Sequence, residues 1–158
     1  MQRVTHASVR VGDDTVGRIG NGLVVLVGVA RNDSTEDAAY LAEKIANLRI
    51  LPDQHDRFNV SVLEAEAELL FVSQFTLHAD TRKGRRPSFM TAAPPEEAKA
   101  LFDRLVELSR ETGLKVETGQ FQEHMLVEIH NDGPVTLMLD SADRHRPRSS
   151  AATGAESP

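Results

Sequence analysis

The chain has 158 residues, no cysteine and a formal net charge of −6, a length that suits one domain with a core of its own. Without cysteine there can be no disulfide framework, thiolate metal site or cysteine nucleophile, which fits a reducing cytosol. The acidic balance argues against general nucleic-acid binding, which depends on Lys and Arg neutralising phosphates, so any RNA contact must use a local patch.

Met1 to His6 has no uninterrupted apolar segment, and no stretch approaches the roughly 20 apolar residues that span a bilayer, so the expectation is a soluble, cytoplasmic protein with no membrane partner. Ser8-Val9-Arg10-Val11 alternates with a period of two, Gly12-Asp13-Asp14 supplies turn residues, and Val16 and Ile19 open a second extended stretch. This pattern predicts a hairpin. Asn21-Gly22, a tight-turn dipeptide, leads into Leu23 to Ala30, a nearly continuous apolar run expected of a central strand buried on both faces. Asp33 with Glu36 forms a capping-box-like start, and Ala38, Leu41, Ala42, Ile45 and Leu48 recur at helical spacing, predicting a helix over Ser34 to Asn47.

Pro52 to Asn59 reads as a polar surface loop, and Leu69-Leu70-Phe71-Val72 as an apolar strand closed by Ser73-Gln74-Phe75-Thr76-Leu77. His78 to Pro95 is basic and aperiodic, a length uncommon for a loop without a function, and is expected to border the site. Pro94-Pro95-Glu96-Glu97 starts a second helix whose stripe is Ala98, Leu101, Phe102, Leu105 and Leu108, ending near Gly113. Leu114 to Thr118 suggests a further strand. Met125, Val127 and Ile129 then alternate up to Asn131-Asp132-Gly133-Pro134, and Val135, Leu137 and Leu139 alternate on an expected return. Beyond Ser141 almost nothing is large and apolar, so 1–141 reads as the domain and 142–158 as a disordered tail. The order of elements gives a mixed α/β domain with helices packed against sheet.

Side-chain candidates for chemistry are few. There is no Gly-x-Ser-x-Gly elbow, no His-Glu-x-x-His and no complete phosphate-binding fingerprint. His78 is the histidine nearest to a general base, but nothing beside it in sequence orients it. Thr76 is the obvious hydroxyl, and its residue type fits either a nucleophile or strand filler that hydrogen-bonds locally. Gly133-Pro134 reads as a loop step and, from spacing alone, as trans. Arg82-Lys83-Gly84-Arg85-Arg86 puts four cations into five residues, either a solvated basic loop or a phosphate clamp. Phe89 either packs or stacks on a base.

Ser73-Gln74-Phe75-Thr76 followed by Asn131-Asp132-Gly133-Pro134-Val135-Thr136, in that order and at that separation, resembles the signature of the D-aminoacyl-tRNA deacylases, from about Gln2 to Ser141. The resemblance implies a three-layer α/β/β domain of mixed sheet with two main helices, in a tight homodimer with active sites at the interface and no metal or organic cofactor. It also implies a pocket in which mainly backbone groups of Ser73, Gln74, Phe75 and Thr76 hold the aminoacyl moiety. The RNA's own ribose hydroxyl would assist the attack, leaving no protein side chain essential as nucleophile. Gly133-Pro134 would be cis and presented by one subunit to the pocket of the other.

That arrangement suits the task. An enzyme that removes D-amino acids from tRNA must reject every L side chain, large or small, so discrimination has to act at the α-carbon. Glycine allows close approach and proline stiffens the step, so a clash cannot relax. Achiral glycine would escape rejection, making glycyl-tRNA(Ala) a further substrate. On this reading Arg82, Lys83, Arg85 and Arg86, with Phe89, hold the tRNA acceptor end, and four phosphate contacts give a salt slope of roughly −3 at about −0.7 each. Two other readings stay open: a non-catalytic RNA-binding domain, and a general esterase using Thr76.

The sequence departs from the family pattern in three places. Met1-Gln2-Arg3-Val4 enters the first strand partway, which implies a weakened edge strand. Leu137-Met138-Leu139 lacks a bulky aromatic behind Gly133-Pro134, and the tail beyond Ser141 has no matching segment.

Overall fold

Two strands are apolar at almost every position, β3 (Gly22–Val27) and β6 (Glu68–Ser73), and the fold is organised around burying both of their faces. A computed structural model of the chain describes residues 1–146. Around β3 and β6 it places β1 (Gln2–Val11), β2 (Asp14–Ile19), α1 (Thr35–Asn47), β4 (Leu51–Pro52), β5 (Phe58–Val60), α2 (Pro95–Glu111), β7 (Val116–Thr118) and β8 (Leu126–Thr136), with 3-10 turns at Phe75–His78 and Ser141–His145. β3, β6 and β7 run parallel, and β1 is antiparallel to β2, β3 and β8. Parallel neighbours need long crossovers, and here α1 and α2 supply them.

Strand periodicity then sorts the core into two sheets of contact. Leu23, Val25, Val27, Leu69 and Phe71 pack on Ala38, Ala42 and Ile45 of α1 and Phe102, Leu105 and Val106 of α2. The intervening residues Val24, Leu70 and Val72 pack on Val4, Ala7, Val9 and Ile19 of β1 and β2. The result is the expected three-layer α/β/β order: helices, β3–β6–β7, then the folded-over β1–β2 hairpin. Gly17 of β2 lies so close to β7 that a Cβ there would sit 2.7 Å from the Thr118 carbonyl oxygen. Phe71 is fully buried in the helical layer, at 0% exposure. Phe71→Ala is therefore expected to cost about 3–5 kcal/mol, read as a fall in the urea midpoint with unchanged m-value.

Several expectations shift. The first helix is capped by Ser34, whose N–H and hydroxyl both donate to the Asp37 carboxylate at 2.8 Å, and not by Asp33 with Glu36. Asp33 is occupied elsewhere, accepting from the Ala30 N–H at 2.8 Å. The polar loop after Pro52 is a small antiparallel ribbon of β4 and β5, its tip held by Asp53 Oδ1, which accepts from the His55 and Arg57 N–H groups at 2.7 and 3.1 Å.

The chain does not turn back at Gly133-Pro134. β8 stays beside β1 from Arg10↔Leu126 to Gln2↔Thr136, with Asp132 to Val135 bulging out opposite Arg3. Asn131 closes this bulge, its Oδ1 accepting from the Val135 N–H at 3.0 Å and its Nδ2 donating to Thr136 Oγ1 at 2.9 Å. β1 is consequently an interior strand and not an edge. Leu137 and Leu139 pack against the helical core where an aromatic was missing. Residues 141–145 form a 3-10 turn whose Arg144 Nη1 lies 3.0 Å from Asp37 Oδ1 on α1, while positions 147–158 of the expected tail lie outside the described residues.

Candidate active site

β6 carries Ser73 level with Val27 of β3, and the Gln74 N–H donates to the Val27 carbonyl at 2.7 Å. The backbone then leaves the sheet at Gln74, φ −146° and ψ 78°, and coils into the 3-10 turn, closed by Leu77 N–H to Gln74 O at 3.2 Å and Ala79 N–H to Thr76 O at 3.1 Å. Sequence favours the break: β6 ends where its apolar run ends. The first N–H groups of such a turn, those of Phe75 and Thr76, have no acceptor within it.

The long basic loop folds back toward this turn. Asp80 and Ser88 pair through both main-chain bonds at 2.8 and 2.9 Å, and Ala93 N–H donates to Val29 O at 2.9 Å. Phe89 thereby meets Phe75 edge-on, ring centroids 5.0 Å apart at 71°, a geometry aromatic pairs prefer. Between loop, turn and α2 lies a cleft of about 840 Å³ that gathers Ser73, Gln74, Phe75 and Phe89 with Ala93 and Phe102.

Phe121, His124 and Met125, from the β7–β8 connection, complete the cleft and were not foreseen. Their signal is faint: Phe121 is a lone apolar side chain in a polar connection, and the alternation that starts at Met125 marks a strand face without saying what that face meets. Met125 folds over the connection, its sulfur 3.3 Å from the Gln120 nitrogen. Arg31, Glu123 and His124 are the ionisable residues lining the cleft, and no carboxylate–histidine pair is assembled there. Thr76 is exposed beside the cleft and does not line it, its hydroxyl contacting Gln74 Nε2.

His78 faces the other way. It lines a second cavity of about 330 Å³ with Asp33, Asp37 and Asp140, and its Nε2 is buried there with no hydrogen-bond partner among the described residues. Burial pushes the Asp33 carboxyl above its usual range.

Gly133 and Pro134 are exposed, joined by a cis bond, and do not line their own chain's cleft. A buried cation carries them. Arg3, 8% exposed, donates from Nη1 to the Ile50 carbonyl at 3.1 Å and holds Nε 3.0 Å from Asp132 Oδ2. That last contact is an ion pair out of hydrogen-bond alignment, since Nε has no bonded acceptor.

Of the basic run, Arg82 is already engaged. Its Nε and Nη2 donate to the two oxygens of Asp80 at 2.8 and 2.6 Å, which holds the Asp80 carboxyl below its usual range. Lys83, Arg85 and Arg86 are exposed and make no ion pair among the described residues.

Residues 1–140 match the family described as D-Tyr-tRNA(Tyr) deacylase. A D-aminoacyl-tRNA deacylase of Dehalococcoides mccartyi is 59% identical over 148 residues, covering 94% of this chain and 97% of the relative. One from Thermotoga petrophila is 54% identical over 142 residues, covering 90% and 95%. Among solved structures, one described as c-Myc DNA Unwinding Element Binding Protein superposes with a TM-score of 0.82 at 39% identity, over 88% of this chain and 95% of that one. A probable eukaryotic D-amino acid tRNA deacylase shares the fold, with a TM-score of 0.73 at 19% identity over 84% and 92%.

Proposed function

The chain belongs to the D-Tyr-tRNA(Tyr) deacylase family, and from that premise we propose that it acts as a homodimer in which each cleft receives Gly133-Pro134 of the other subunit. The reaction is hydrolysis of the ester of D-aminoacyl-tRNA, releasing free D-amino acid and tRNA. One observation carries the finer reading: Ser73, Gln74 and Phe75 line a mostly apolar cleft with no carboxylate–histidine pair, while Gly133-Pro134 is exposed on the same chain and lies outside that cleft.

Catalysis in this reading relies on positioning and on main-chain donors. Water, assisted by a ribose hydroxyl of the tRNA, attacks the ester carbonyl. The Phe75 N–H, which has no acceptor within its turn, stabilises the oxyanion, and the bond to the terminal ribose oxygen breaks with that oxygen taking a proton. The lent Gly-Pro backbone occupies the space an L side chain would need. Glycyl-tRNA(Ala) has no such side chain and is cleaved as well. Phe89 and the basic loop hold the acceptor end of the tRNA, and the site of action is the cytoplasm.

Matched D-, L- and glycyl-tRNA offered to the purified protein test this directly. D- and glycyl esters should disappear while the L ester persists. Equal cleavage of both enantiomers, or binding without cleavage, overturns the reading. Thr76→Ala is expected to keep kcat within about tenfold of the parent, whereas loss of a true nucleophile costs on the order of 10⁶. Single-turnover deacylation distinguishes the two.

A further inference from the structure

Away from the cleft, the outer face of the β1–β8 pair carries a cluster that the deacylation reaction does not use. His6 stands directly opposite His130 in the ladder, with Ser8 opposite Glu128. Strand periodicity puts Glu128 and His130 on one face of β8. The two imidazoles are stacked with centroids 3.6 Å apart at 27°, and Glu128 Oε1 lies 2.8 Å from His130 Nε2. One ligand atom from each of the three residues lies within 4.8 Å of the other two, and all three side chains are exposed.

We propose that His6, Glu128 and His130 form a binding site for a divalent transition-metal ion of the zinc class. Metal–nitrogen and metal–carboxylate bonds of about 2.0–2.2 Å in tetrahedral geometry place ligand atoms roughly 3.3 Å apart. The ligand atoms lie within 4.8 Å of one another, and because all three side chains are exposed the stacked rings can rotate apart to bring them together on one ion. Two imidazoles with one carboxylate suit zinc, nickel or copper, whereas magnesium prefers oxygen ligands and keeps its water. Thr5 Oγ1 lies 3.3 Å from His6 Nδ1, a second contact that leaves Nε2 of that ring to face the ion. Solvent supplies the remaining position. Bound metal cross-links β1 to β8 one residue before Asn131, where the Gly133-Pro134 bulge begins, and so stabilises the base of that bulge.

Calorimetric titration of the chelator-treated full chain with Zn²⁺ tests the site. One ion per chain is expected, with His6→Ala and His130→Ala each weakening binding by at least about tenfold, and with His55→Ala unchanged. Nickel and copper should compete and excess magnesium should not. Metal should also raise the thermal midpoint of the parent but not of the two histidine variants. Circular dichroism without metal confirms that each variant folds, so a null result cannot be blamed on unfolding. Unchanged affinity in both variants, or uptake without saturation at one ion per chain, overturns the proposal.

Discussion

Gly133→Ala should abolish cleavage of D-aminoacyl-tRNA and lower folding stability by about 2–4 kcal/mol, the sum of backbone strain and overpacking. Gly133 has φ +115°, a conformation that L side chains rarely adopt, and its added Cβ would sit 2.8 Å from Val135 Cγ2 and 2.9 Å from Arg3 Nη2. Neither neighbour has an easy retreat. Val135 is a buried side chain, and the Arg3 guanidinium is fixed by the Ile50 carbonyl and by Asp132. The bulge itself must move, and with it the Gly133-Pro134 step that the proposed reaction uses. Urea denaturation reads the first effect and single-turnover deacylation the second. Gly113→Ala is the control: φ there is +87° with nothing within 4 Å of the added carbon. It should cost only the strain, about 1 kcal/mol, and leave activity intact. A Gly133→Ala protein that cleaves D-aminoacyl-tRNA at the parent rate would remove Gly133 from the mechanism.

The layers of this fold were legible because their signal is local and redundant. Leu23 to Val27 and Leu69 to Val72 are apolar at every position, which only burial on both faces explains. The Phe102, Leu105 stripe likewise names one face of α2. Errors arose where two local solutions use the same residues. Asp33 and Ser34 are both good caps, and what separates them is the Ala30 N–H that Asp33 already satisfies. Asn-Asp-Gly-Pro serves a turn or a bulge equally well, and the choice is made by β1, more than a hundred residues upstream, which keeps β8 paired on both sides of the step. Phe121 and Met125 reach the cleft through tertiary approach alone. His78 follows the first signature in sequence yet faces another cavity, because the 3-10 turn rotates it away.

The Arg82–Asp80 pair changes the electrostatics expected of tRNA binding. Four free cations would give a salt slope near −3, but Arg82 spends both arms of its guanidinium on Asp80, leaving Lys83, Arg85 and Arg86. Three contacts at about −0.7 each give a slope of about −2, so affinity should fall about 18-fold between 50 and 200 mM salt, against about 50-fold for four. Replacing Lys83, Arg85 and Arg86 together with alanine should bring the slope close to zero. KM should rise while the preference for D over L persists, because phosphate contacts position the tRNA without touching the α-carbon. Asp80→Asn separates this account from one in which the whole loop acts as a diffuse positive field. Freeing the Arg82 guanidinium should steepen the slope toward −3, since the exposed charge is then no longer neutralised by the carboxylate beside it and can pair with a phosphate. A diffuse field would instead respond to Asp80→Asn and to loss of any single cation by similar amounts of opposite sign, and Arg82→Ala would then flatten the slope of the parent. With Arg82 committed to Asp80, that last substitution should leave the slope where it was.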